Sequence, residues 1–201
     1  MLPDLVRRAR AAQLAWAALP LERRVKAVAR VRGRVLARAA ELGAAIRSET
    51  GKPEVEAILG EVLPTGDVVS YWTDVVAEEL TPFEAEIDAL SYPNKRGWIH
   101  REARGVVGLI TPWNFPLALP MRTIVPALLA GNAVVFKPSE VTPKVGELVV
   151  DLFAGLLPDG LLTVVQGGGG AGARVVESDV DVVIFTGGTE TGRKVARACA
   201  E

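Results

Sequence analysis

Residues 106–137 read VVGLITPWNFPLALPMRTIVPALLAGNAVVFK, and this stretch decides the fold class. Val106–Ile110 is a short, continuous apolar run of strand length, which reads as a strand buried on both faces. Thr111-Pro112-Trp113-Asn114-Phe115-Pro116 follows as a loop. Pro120–Leu129 then carries the pattern of a buried helix, and Ala133–Phe136 is a second buried strand. The same grammar repeats downstream. Thr142-Pro143 starts a helix running to about Leu157, with proline suited to a first turn. Leu161–Val165 is a third strand, followed by a glycine-rich loop and a short helix near Ala173–Glu177. Val182–Phe185 is a fourth strand, and a final helix begins at Thr189. Four strands alternating with helices imply an α/β fold with a doubly wound parallel sheet covered on both faces.

Towards the start of the chain the pattern becomes helical. Leu5, Ala9, Ala12 and Trp16, then Val25, Val28, Val31, Val35 and Leu36, recur at helical spacing among arginines, with Leu19-Pro20 between the two helices. A third helix spans about Arg38–Glu49 and stops at Gly51 and Pro53. A fourth covers Glu54–Val76, with Pro64-Thr65-Gly66 as a candidate break. These helices hold no cluster of reactive side chains and read as a packing scaffold. Between the two regions, Trp98-Ile99-His100-Arg101-Glu102 reads as an exposed strand after a turn at Asn94-Lys95-Arg96-Gly97.

Ligands of doubly wound sheets bind beyond the carboxyl ends of the strands. The four segments there are Thr111–Pro116, Lys137–Glu140, Gln166–Gly172 and Thr186–Gly192, all polar or glycine-rich. One glycine-rich loop after a strand can be only a tight turn. Four in order point to a shared ligand edge.

Composition narrows the partners. The 201 residues carry 23 basic and 24 acidic side chains, a net charge of −1, which supplies no field to gather nucleic acid or an anionic membrane. No apolar run reaches the roughly 18 residues of a membrane span, and the Arg/Ala-rich start lacks a secretory apolar core, so the cytoplasm is the expected compartment. A single cysteine, Cys199, excludes an internal disulfide or a multi-cysteine zinc site, and a single histidine, His100, makes a histidine-based metal site implausible.

Three segments resemble the aldehyde dehydrogenase superfamily in order and spacing: Pro112-Trp113-Asn114-Phe115-Pro116, Gly131–Glu140 and Phe185–Gly192. The resemblance runs over essentially the whole chain. It implies residues 1–80 as the helical part of a cofactor-binding domain, 81–104 as a strand segment of the oligomerisation region, and 105–201 as a Rossmann-like NAD(P)-binding region, incomplete relative to the family. It implies that Asn114 donates its amide to the oxyanion of a tetrahedral intermediate; the alternative is an asparagine that merely caps a loop. By the same resemblance Ile110, Thr111, Pro112 and Trp113 line the nicotinamide side of the cofactor. Lys137, Ser139 and Glu140 face the adenosine ribose, and Gly169 lies nearest the adenine ribose. Gly187, Gly188 and Thr191 approach the cofactor through the start of the last helix. Glu140 tilts the cofactor towards NAD, with NADP open; the bland reading of Lys137 and Glu140 is a surface ion pair. Gly188 departs from the more common serine of the family, and the Gly167–Gly172 loop is shorter than usual.

In the family a Glu-Leu-Gly-Gly stretch and a nucleophilic cysteine follow the last helix, and neither stands in these residues. Cys199, in Val195-Ala196-Arg197-Ala198-Cys199, is expected to be a small helix-packing residue. A sheet ending at its fourth strand is expected to leave an unpaired edge and an exposed apolar face. Three functions stay open: a piece of an NAD-dependent aldehyde dehydrogenase that is inactive by itself, a cofactor-binding or regulatory partner of a separately encoded catalytic half, and a non-functional remnant. The partners implied are a small aldehyde, a second copy of the chain or a complementing C-terminal half.

Overall fold

The computed structural model describes residues 2–88 and 90–200; Met1, Ala89 and Glu201, which fall within the expected segments 1–80, 81–104 and 105–201, lie outside the described residues. Helices α1 (Leu2–Ala17), α2 (Leu21–Ala37), α3 (Ala39–Thr50) and the short α4 (Glu54–Ala57) run into a π-helical turn, Ile58–Val62, and then α5 (Leu63–Leu80). The irregularity expected at Pro64 therefore sits just before it. Proline has no N–H to give and its ring crowds the carbonyl four residues back, and the wider π turn at that carbonyl relieves both problems. The fourth helical segment also runs past Val76, to Leu80.

A small antiparallel pair follows, β1 (Phe83–Ala85) with β2 (Gly97–Ile99), in which Glu84 lies opposite Trp98. Only Trp98 and Ile99 of the expected strand are extended partners. His100, Arg101 and Glu102 lie outside it, and the turn ends on Asn94 in a left-handed conformation, earlier than expected.

The main sheet consists of β3 (Val106–Ile110), β4 (Ala133–Lys137), β5 (Leu162–Val164) and β6 (Val182–Phe185) in the order β5-β4-β3-β6, every pair parallel. Chain order runs outward from β3 through β4 to β5, then returns to the far side of β3. The switch point lies between β3 and β6, where a ligand crevice opens in such sheets. The connecting helices are α6 (Ala118–Leu129), α7 (Pro143–Asp151), α8 (Gly169–Val176) and α9 (Thr189–Ala198). Three helices differ from expectation: α6 begins two residues earlier than Pro120, α7 stops at Asp151 rather than near Leu157, and α8 starts inside the glycine-rich loop.

Every residue of β3 and β4 is buried, so these strands are covered on both faces as expected. Each fully buried side chain of the size of Val135 or Phe136 contributes about 1.5–3 kcal/mol of transfer free energy. Cover is incomplete at the edge strand β6, as expected of a sheet ending at its fourth strand: no residue there is buried, Ile184 is exposed, and α9 buries none of its own residues. Cys199, expected to pack, is accordingly exposed. The apolar stripe of α2 (Val28, Val31, Val35) joins Val69 and Val76 of α5 and Ile124 and Leu128 of α6 in one core with the sheet.

Specific polar contacts tie the helical layer to the sheet. Trp16 donates its indole N–H to the Leu128 carbonyl at 2.7 Å, and Gln13 donates to the Gly131 carbonyl at 2.9 Å. Gly131 has φ +94°, and a Cβ there would meet the Arg24 guanidinium at 2.9 Å, so the turn into β4 requires glycine. Beside it, Asn132 accepts from the Gly105 amide at 3.0 Å, aligning the starts of β3 and β4.

Candidate functional site

The four segments expected at the carboxyl ends of the strands do converge. A groove of about 560 Å³ is lined by Ile110, Thr111 and Pro112 after β3, Lys137, Ser139 and Glu140 after β4, Gly169 at the start of α8, and Gly187, Gly188 and Thr191 after β6. A second cleft of about 620 Å³ is lined by Trp113, Asn114, Phe115, Arg122 and Thr186, and it shares Pro112, Gly187 and Gly188 with the first. Both volumes suit a small-molecule ligand. All twelve residues singled out in the sequence therefore border one or both clefts.

Strand β4 is buried to its last residue, and this explains Lys137. Its side chain is 5% exposed, yet its ammonium reaches the groove end, where it donates to the Pro138 carbonyl at 2.6 Å and to Glu140 Oε2 at 3.3 Å. A lysine ammonium has three N–H donors, so one stays available to a ligand. The Glu140 side chain is 57% exposed. Its own backbone amide, then the Lys137 ammonium, hold its carboxyl below the ordinary glutamate value. At neutral pH it is an ionised acceptor, and the pair is a half-open one rather than a free surface ion pair. Ser139 Oγ accepts from the Val141 amide at 3.2 Å, which orders the turn and leaves the hydroxyl proton free to be donated.

Among the described residues no side chain caps the N-terminus of α8 or of α9. Their first amides carry a partial positive charge, the local condition for an anionic group. A Cβ built on Gly169 or Gly188 would meet nothing within 4 Å, so these positions border open space. Gly187 differs, because a Cβ there would meet the Phe185 ring at 2.5 Å.

Asn114 is exposed in the second cleft, and among the described residues its side-chain amide makes no hydrogen bond. Its backbone is held instead. The Lys52 ammonium donates to the Asn114 carbonyl at 2.5 Å and to Glu61 Oε1 at 2.7 Å, and it lies 3.9 Å from the centre of the Phe115 ring. Glu61, 0% exposed, accepts from the Leu117 and Ala118 amides at 2.9 and 3.3 Å, and so caps α6.

The sequence reading missed several contributors. Lys52 and Glu61 belong to the region read as scaffold, where Gly51-Lys52-Pro53 carried only a helix-stop signal. Glu177, Phe185, Lys194, Val195 and Ala198 line the far side of the first groove, and nothing in their spacing announced it. Cys199 is not among the residues lining either cleft. Among the described residues no helix is long and apolar enough to cross a membrane.

Comparison with known proteins agrees with this architecture. A family model described as the aldehyde dehydrogenase family matches residues 2–201. The chain is 39% identical to a 4,4'-diapolycopene aldehyde oxidase of Methylomonas sp, over 100% of this chain and 38% of that protein. It is 42% identical to N-succinylglutamate 5-semialdehyde dehydrogenase 1 of Caulobacter vibrioides, over 96% of this chain and 40% of that protein. Among solved structures, PnpE (described from Pseudomonas sp. WBC-3) in complex with nicotinamide adenine dinucleotide superposes with a TM-score of 0.88 at 32% identity, covering 98% of this chain and 40% of that one. The chain thus spans about two fifths of the length of the proteins it matches.

Proposed function

Because the chain belongs to the aldehyde dehydrogenase family, we propose that residues 1–201 supply the dinucleotide-binding face and one oxyanion donor for the NAD-dependent oxidation of an aldehyde to a carboxylate. One observation carries the reading. The loops after all four parallel strands meet in a single groove holding Lys137 and Glu140, and this groove joins the cleft of Asn114 at Pro112, Gly187 and Gly188.

The donor set suits a dinucleotide. The ionised Glu140 carboxylate accepts from ribose hydroxyls, while the spare N–H of Lys137 and the hydroxyl of Ser139 donate to ribose oxygens. The uncapped start of α9, with Gly187 and Gly188, offers amides to a diphosphate, and Thr191 lies one helical turn further along. Gly169 leaves room for the adenosine end. Ile110, Thr111, Pro112 and Trp113 form the wall between this groove and Asn114, where the nicotinamide end lies. NAD, when bound, supplies the hydride acceptor. A 2′-phosphate would meet the negative charge of Glu140, which favours NAD over NADP.

Asn114 contributes a neutral amide donor that no side chain among the described residues engages, available to an oxygen that gains negative charge. The thiolate that attacks the aldehyde comes from outside residues 1–201, because the single thiol, Cys199, is exposed just past the end of α9 and lines neither cleft. On this reading residues 1–80 and 105–201 serve the cofactor, and 81–104 serve assembly.

The test is calorimetric titration of the purified 201-residue protein with NAD, NADH and NADP. Saturable binding of NAD that adenosine diphosphate ribose displaces is the expected result. No binding at millimolar cofactor, or binding unaffected by Glu140→Ala, would overturn the proposal.

A further inference from the structure

Glu61 is the only acidic side chain in the buried class among the described residues. A carboxylate withdrawn from water persists only where its lone pairs are occupied by donors, and such a group fixes the position of whatever donates to it. Here one oxygen takes the Leu117 and Ala118 amides and the other takes Lys52. A second N–H of Lys52 goes to the Asn114 carbonyl, and the Phe115 ring lies against the same ammonium. Residues 114–118 are therefore anchored at both ends by one ion pair that belongs to a different part of the chain. The Asn114 side chain has no hydrogen-bond partner among the described residues, so its aim depends on the backbone that carries it. Pro112 and Pro116 restrict that backbone, but neither prevents the whole segment from moving as a unit.

From this geometry we infer that Lys52 and Glu61 are positioning residues, which hold the Asn114 amide at the place where it meets the developing oxyanion. The inference rests on the oxyanion role proposed for Asn114. Lys52 and Glu61 line neither cleft; they act through the Asn114 carbonyl and the first amides of α6. A displacement of about 1 Å in such a donor can cost about a hundredfold in rate. The ribose end of the cofactor rests on other loops, so its binding is unaffected.

Two measurements test this. In the 201-residue protein, hydrogen–deuterium exchange is followed in the peptide covering 113–118. Lys52→Met raises its exchange about tenfold or more, while the peptide of β4 is unchanged. Glu61→Gln, which keeps side-chain volume and an acceptor for the α6 amides, does the same and serves if Lys52→Met fails to fold. Unchanged exchange in whichever variant folds would overturn the inference. The second measurement uses a hybrid in which residues 1–201 replace the matching segment of the Caulobacter semialdehyde dehydrogenase. There Lys52→Met lowers kcat by about 10- to 100-fold with the KM for NAD held within about twofold, and adds little further loss to Asn114→Ala. A Lys52→Met effect that multiplies in full with that of Asn114→Ala sinks this inference alone. Asn114→Ala without any loss of kcat sinks the oxyanion reading beneath it, and the inference with it.

Discussion

Gly146 in α7 is the position where the structure reverses the ordinary rule for glycine in a helix. By intrinsic propensity, Gly→Ala in a helix interior stabilises by about 0.8–1 kcal/mol. At Gly146, however, a Cβ would lie 2.4 Å from Cγ and 2.7 Å from Cβ of Pro138. Those atoms belong to a stiff ring in the Lys137–Glu140 loop, so a normal contact requires that loop to move by roughly 1 Å; overpacking of this kind costs about 1–3 kcal/mol. The clash outweighs the propensity gain, and Gly146→Ala is expected to destabilise by about 1–2 kcal/mol. Gly33 in α2 is the control, since a Cβ there meets nothing within 4 Å. Gly33→Ala is expected to stabilise by about 0.5–1 kcal/mol. Urea titrations of the three proteins read both values, and in thermal melts each kcal/mol corresponds to about 2–4 °C for a chain of this size. Because the displaced loop carries Lys137, Ser139 and Glu140, Gly146→Ala also weakens NAD binding while Gly33→Ala leaves it alone. If Gly146→Ala proved as stabilising as Gly33→Ala, with NAD affinity intact, the packing of α7 against the cofactor loop would be wrong.

Three further outcomes follow from other parts of the molecule. Glu140→Gln removes a charged acceptor worth about 1.5 kcal/mol, so NAD binding weakens about tenfold while NADP binding weakens less or improves; equal losses in calorimetry would contradict the ribose contact. Asp181 accepts from the Val106 amide at 2.6 Å and from Arg10 at 2.9 Å. Burial pushes its carboxyl up, but the Val106 amide and Arg10 outweigh this and hold it below its ordinary value. The folded state thus binds the proton less tightly than the unfolded chain, so the stabilisation is fully present above the ordinary aspartate pKa near 3.9 and is lost as pH falls through the lower folded value. Asp181→Asn, read by denaturant titration at several pH values, should cost about 1 kcal/mol at pH 7 and lose its effect in that acidic window; an effect independent of pH would refute the assignment. Finally, the 201-residue protein should produce no NADH from aldehydes, and robust production abolished by Cys199→Ser would reverse the view that the thiol lies elsewhere.

Local sequence determined the elements that satisfy one physical demand at a time. Val106–Ile110 and Ala133–Phe136 are apolar at every position, which suits only strands with both faces buried, and Thr142-Pro143 starts α7 because proline is suited to a first turn. From the alternation of such strands with helices came the parallel sheet, and from the parallel sheet came the edge where Lys137, Glu140, Gly169 and Gly188 meet. Where several demands compete, sequence signals fell short. The π turn before Pro64 was legible only as a break, and α8 took up Gly169 and Gly170 because packing of Ala171 and Val175 outweighs the poor helix propensity of glycine. The exposure of α9 and Cys199 follows from which elements cover them, a property of the whole assembly. Lys52 and Glu61 illustrate the same limit at the candidate site. Nothing in Gly51-Lys52-Pro53 or in the helical pattern around Glu61 points to a loop more than fifty residues away in the chain, and only packing of the helical layer against α6 turns two ordinary charges into the anchor of Asn114.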